Sequence, residues 1–124
     1  MRRDMELIRQ IAFAVEAADD GLDSETLVIN GYTASQIGYH CELMNESGLI
    51  DTIDTQTLGS EFATFHIRRL TSKGHDFADA ARNDTIWNKA KATIASTVGG
   101  VTIDVMIRYL KSQAMAALGL PPDL

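Results

Sequence analysis

No lysine or arginine occurs between Arg9 and Arg68, a gap of 58 residues that holds ten acids: Glu16, Asp19, Asp20, Asp23, Glu25, Glu42, Glu46, Asp51, Asp54 and Glu61. At the chain's overall frequency of 11 bases in 124 residues, roughly five would be expected there. A surface of that composition repels phosphate, which argues against general affinity for nucleic acid or an anionic membrane. Cysteine is nearly absent too. Cys41 stands alone, so no disulfide forms within the chain and nothing in the cysteine count points to secretion. Long apolar runs are missing, and the opening Met-Arg-Arg-Asp-Met-Glu places acids where a signal peptide needs hydrophobes. No membrane association and a cytoplasmic location are expected.

What is present suffices for one core. The 124 residues are 45% hydrophobic, with a formal net charge of -6, the size of a single domain that needs no covalent staples. The charge is uneven: residues 1–84 carry 7 - 15 = -8 and residues 85–124 carry 4 - 2 = +2. A core over 1–84 and C-terminal helices over 85–124, joined in one globular unit, is the expected organisation.

Met5, Ile8, Ile11, Ala12, Val15 and Ala18 recur at spacings of three and four, which predicts a helix over 4–19 capped by Asp4 and ended by Asp19-Asp20-Gly21. Leu27-Val28-Ile29, closed by Asn30-Gly31, reads as a brief strand. Thr33 and Gln36 form a capping box for a second helix running to about Ser47, with Ile37, Cys41 and Met44 inward and Gly48 at its exit. Residues 49–55 and 63–70 read as a hairpin joined by Gln56 to Ser60, with Phe65 and Ile67 on one side and His66 and Arg68 on the other. Three helical segments follow: one from Thr71 with Gly74, Phe77, Ala78 and Ala81 on one side; one after Asn83-Asp84 bearing Trp87, Ala90, Ile94 and Val98; and, beyond Gly99-Gly100, one from Thr102 to about Leu118.

The expected class is therefore α+β, mostly helical: a winged-helix core of helix, short strand, helix and two-stranded wing, with a helical C-terminal extension. A helix-turn-helix unit usually has two helices between the first strand and the wing, and only one is evident here. The other is either a single turn within residues 21–26 or lost. Three stretches carry a family resemblance: Arg3-Asp4-Met5-Glu6-Leu7-Ile8-Arg9; the helix exit from Tyr39-His40 to Gly48-Leu49-Ile50; and Arg69-Leu70-Thr71-Ser72-Lys73-Gly74-His75-Asp76-Phe77 followed by Asp84-Thr85-Ile86-Trp87. Together they resemble the domain of unknown function 2513 family of bacteria, phages and prophages. The resemblance implies the fold and carries no activity with it.

Nothing in the sequence assembles a reaction centre. His40 and Cys41 are adjacent, about 100° apart around a helix, so they do not grip one ion, and His66 and His75 lie far away; no metal is expected. His75 and Asp79 are one turn apart, which is ordinary for an exposed helix face. Gly99-Gly100 lacks the strand and lysine of a phosphate loop. No enzymatic activity, cofactor or small-molecule substrate is expected. Two kinds of macromolecular partner remain. One is a protein, met by an acidic face of Glu42, Glu46, Asp51, Asp54 and Glu61; its sharpest form is a phage or prophage antagonist of host nucleic-acid-binding machinery, anti-CRISPR-like in that it imitates a polyanion. The alternative is a DNA-binding transcriptional regulator placing Gln36, Tyr39, His40 and Asn45 in a groove, with Arg68 and Arg69 on phosphate. The apolar stripe Ile103, Met106, Ile107, Leu110 and Ala114 is expected either to form a homodimer face or to pack back on its own chain.

Overall fold

The computed structural model describes residues 1–54, 64–98 and 102–121. Five α-helices and one three-stranded antiparallel sheet occur among them: α1 (Met5–Ala17), β1 (Leu22–Asp23), a 3-10 turn (Ser24–Thr26), α2 (Ala34–Glu46), β2 (Ile50–Asp54), β3 (Phe65–Leu70), α3 (Ser72–Ala80), α4 (Asp84–Val98) and α5 (Ile103–Ala117). The chain is α+β and mostly helical, as expected. It divides into two compact units, Met1–His75 and Asp76–Leu124, so the division falls within α3. The Gln56 to Ser60 turn and Gly99-Gly100 lie outside the described residues.

In the first unit the strand order is β1-β3-β2, with β3 central and antiparallel to both neighbours. α1 lies on β3 and on α2, burying Leu7, Ile8, Ile11 and Ala12 completely. Its start follows from Asp4, whose Oδ1 accepts the Glu6 and Leu7 amides at 2.9 and 3.3 Å. α2 begins at the Thr33–Gln36 box: Thr33 Oγ1 accepts from the Gln36 amide at 3.1 Å and Gln36 Oε1 from the Thr33 amide at 2.8 Å. It closes with the Gly48 amide on the Asn45 carbonyl and the Leu49 amide on the Met44 carbonyl, 3.1 and 2.9 Å, which is a Schellman motif.

The strand expected at Leu27-Val28-Ile29 is not there. Val28 is 88% exposed and only Ile29 of the three is buried; the strand is Leu22–Asp23, five residues earlier. Gly21 decides this. At φ +82° it turns the chain against β3, where an added Cβ would stand 2.5 Å from the Ile67 carbonyl oxygen. Leu22 then pairs Ile67 and Asp23 pairs His66. Ser24 ends the pairing because its buried hydroxyl, not a backbone carbonyl, accepts the Phe65 amide at 2.8 Å. The following 3-10 turn is a single turn within residues 21–26.

In the second unit, Phe77, Ala78, Ala81, Trp87, Ala90, Ile94, Ile103, Met106 and Leu110 are buried. The Trp87 and Phe77 rings meet edge to face with centroids 5.9 Å apart, a favoured aromatic geometry. Asn83 caps α4 by accepting the Ile86 amide at 2.9 Å, and Thr102 caps α5 by accepting the Val105 amide at 3.1 Å. No described helix is long and apolar enough to cross a membrane.

Candidate functional site: the outer face of α2 and the arginine bulge of β3

Five residues of α2 are buried: Ile37, Gly38, His40, Cys41 and Met44. This inward face is wider than Ile37, Cys41 and Met44 alone would make it, and what remains outside is narrow. Glu42, Asn45 and Glu46 are exposed, while Ser35, Gln36 and Tyr39 are half-buried. Glu42 and Glu46 sit one turn apart with no side-chain partner among the described residues. Asn45 Oδ1 accepts from the Thr52 hydroxyl at 3.1 Å, tying α2 to β2.

His40 corrects an expectation. The sequence pattern sets it among the outward groups that would read DNA, whereas it is 1% exposed. Its Nε2 accepts the Asp4 amide at 2.8 Å and its Nδ1 donates to the Gln36 carbonyl at 2.7 Å. The two partners assign the tautomer: hydrogen on Nδ1, lone pair on Nε2. Both nitrogens are spent, so the ring has nothing to offer a base. Beside it, the Tyr32 hydroxyl donates to Asp4 Oδ2 at 2.9 Å. Burial, then that bond and the negative charge of Asp4 and Glu6, push the Tyr32 phenol up to about 12. The Tyr39 ring stands edge-on to His40 with centroids 5.7 Å apart. His40 is thus the joint between the start of α1 and the body of α2. Cys41, fully buried next to it, has its thiol pushed up to about 12 by desolvation, which keeps it a thiol at neutral pH.

The second feature is a β-bulge. Asp51 pairs Arg69 but Thr52 pairs Ile67, leaving Arg68 as an extra residue on β3. Simple alternation would send Arg69 inward with Ile67. The bulge instead turns Arg68 and Arg69 both outward and returns Leu70 to the core, the re-aiming that bulges produce. Both arginines reach one carboxylate: Arg68 Nη1 lies 2.9 Å and Arg69 Nε 3.8 Å from Asp51 Oδ2. Arg69 Nη1 also donates to the Leu70 carbonyl at 2.9 Å. Asp51 is therefore not a freely presented charge, and the two arginines are not unengaged cations. Across the sheet, His66 Nδ1 and Asp23 Oδ1 are 2.8 Å apart, a pair that the displaced β1 brings together.

The remaining expected positions are scattered. Asp54 closes β2, opposite Phe65 in the register, and Glu61 lies outside the described residues. On α5, Ile103, Met106 and Leu110 are covered by the chain itself, where α5 packs on α4; Ile107 is half-buried and Ala114 exposed. The stripe as a whole is not an open dimer face, because its largest members already fill a core. Asp79 bonds Arg82 at 3.0 Å, and no cluster of three or more His, Cys, Asp or Glu side chains suited to a metal occurs among the described residues.

The sequence carried a trace of the bulge that simple alternation misses. In Phe65-His66-Ile67-Arg68-Arg69-Leu70 the apolar positions step by two and then by three, and that slip in phase is what one extra strand residue produces. For His40 the only trace was its place one turn after Gln36 and one residue before Cys41, on the edge of the apolar face.

No solved structure matches the chain. A protein of Haemophilus influenzae described as uncharacterized is 34% identical over 109 residues, covering 86% of this chain and 89% of its own. The family model described as hypothetical protein (DUF2513) matches residues 2–101, a span that takes in the Asp4–His40 joint, the bulge and α4. The chain belongs to the domain of unknown function 2513 family.

Proposed function

We propose that this is a non-enzymatic winged-helix protein that acts by binding another protein through the outer face of α2. The winged-helix reading is supported by the element order and by the strand order β1-β3-β2, with the 3-10 turn at Ser24–Thr26 standing where a short second helix would be. The observation that carries the functional reading is on α2. Its outermost long side chains are Glu42 and Glu46, without cationic partners among the described residues, while His40 is buried on Asp4 and the Gln36 side-chain oxygen is taken up by the Thr33 amide at the helix start. A helix that presents two carboxylates to a polyanion has the wrong sign; presented to a basic protein surface it has the right one. In its sharpest form the protein is a phage or prophage antagonist that occupies a nucleic-acid groove on a host protein.

The test is capture from a host lysate by the intact chain and by the double variant Glu42→Lys, Glu46→Lys. A partner held by the parent and lost by the variant supports the proposal. Equal capture by both refutes it. A second reading, DNA binding, draws on one observation, that the bulge sets Arg68 and Arg69 side by side. Salt-sensitive micromolar binding to mixed duplex in a mobility-shift titration would favour it.

A further inference from the structure

Two faces of α5 are in use, and only one of them is filled. Alongside the buried Ile103, Met106 and Leu110, with Ala114 at their edge one turn after Leu110, runs a second stripe at spacings of three and four: Lys111, Ala114, Met115 and Leu118. Its first three members, with Asp76, Asp79 and Ala80 of α3, line an open groove of about 320 Å³. A volume at the bottom of the range for small-molecule sites, about 300 to 1,000 Å³, in an open trough suits an inserted side chain better than an enclosed ligand.

Just past the groove the chain displays what would fill it. Leu118 is 75% and Leu120 50% exposed. They are not on a frayed end: the Gly119 amide bonds the Ala116 carbonyl at 3.1 Å and the Leu120 amide bonds the Met115 carbonyl at 2.9 Å, the paired closure of a Schellman motif. The groove's charges are also split. Asp76 on the α3 side and Lys111 on the α5 side have no side-chain partner among the described residues, although they line the same groove.

We propose that this face seats a second copy of the chain, packed about a twofold axis, with Leu118 of each copy entering the groove of the other and Lys111 of each meeting the other's Asp76. A twofold contact requires a surface that complements itself. Here the apolar hook and the apolar trough lie on one stripe, and an acid and a base stand on opposite sides of it. A uniformly basic or acidic partner would leave one of those charges unmatched; a second copy matches both. This surface is separate from the α2 face and goes beyond the binding proposed there.

The experiment is the mass of the intact chain by light scattering from about 5 to about 200 µM, where mass action separates a dimer from a monomer. The parent is expected to rise from 13.5 kDa toward twice that mass. Leu118→Asp should weaken association at least about tenfold, as removal of a central anchor does, and Leu118→Ala should do so less severely. Lys111→Asp should weaken it as well, and Lys111→Asp with Asp76→Lys in the same chain should restore it. All these positions are exposed, so circular dichroism should be unchanged. A parent that stays monomeric across the range, a Leu118→Asp variant that associates like the parent, or a charge swap that fails to restore association would overturn the proposal.

Discussion

Gly74 has an ordinary helical backbone, and a helix interior normally gains about 1 kcal/mol when glycine becomes alanine. Here the opposite is expected. A Cβ on Gly74 would overlap the Leu49 carbonyl oxygen and stand 3.0 Å from the Leu49 carbonyl carbon and 3.2 Å from Leu70 Cβ. Neither neighbour is the free end of a flexible side chain. The Leu49 carbonyl accepts the Thr71 amide at 3.0 Å, Thr71 Oγ1 donates to the Gly48 carbonyl, and Lys73 Nζ reaches the Ser47 carbonyl at 3.1 Å. Moving α3 away would loosen all three bonds. Overpacking costs about 1 to 3 kcal/mol and a weakened hydrogen bond about 1, so after the propensity gain Gly74→Ala should destabilise by about 2 kcal/mol. Urea unfolding of the intact chain, followed by circular dichroism, measures it. Gly48→Ala is the control: φ is +77° with nothing within 4 Å of an added Cβ, so only the left-handed backbone penalty applies, about 1 to 2 kcal/mol. A neutral or stabilising Gly74→Ala would mean that α3 does not enter against the exit of α2 as described.

His40→Leu should destabilise the chain by about 1 to 3 kcal/mol in the same assay, because it strands the Asp4 amide and leaves the Gln36 carbonyl with its helical partner only; an unchanged midpoint would contradict the hydrogen bonds assigned to the ring. Tyr32 and Cys41 are both held protonated, with values of about 12, so the native state binds more protons than the unfolded chain once pH passes their ordinary values of 10 and 9. Their contribution to stability should therefore be level below pH 9 and be lost from there toward 12, and Tyr32→Phe should flatten that decline in pH-dependent melts. Cys41 should react with a thiol reagent only as fast as the chain opens, which a urea-dependent labelling rate would show. Asp51→Asn should change stability by less than about 1 kcal/mol, as exposed ion pairs do, yet should raise low-salt retention on heparin by releasing Arg68 and Arg69; equal retention would mean that the carboxylate does not mask them.

The helices were legible in the sequence, with their caps at Asp4, Thr33 and Asn83; that Thr102 caps α5 and is not its first residue came from the structure. Helix starts are set by contacts three and four residues apart, and those contacts are written locally. β3 was legible for the same kind of reason, since alternation over Phe65 to Ile67 is local. Three things were decided only by tertiary structure. Gly21, turned by its approach to Ile67, put the first strand at Leu22–Asp23 and left Val28 in solvent. One extra residue in β3 aimed Arg68 and Arg69 together at Asp51. The start of α1 claimed His40 and removed it from the outward face of α2. Each depends on a partner dozens of residues away, so its energy is settled by pairing across the fold and not by the residues beside it. A count of carboxylates could show that this chain is acidic; only the packing could show that Glu42 and Glu46 are left without partners among the described residues while Asp51 holds two.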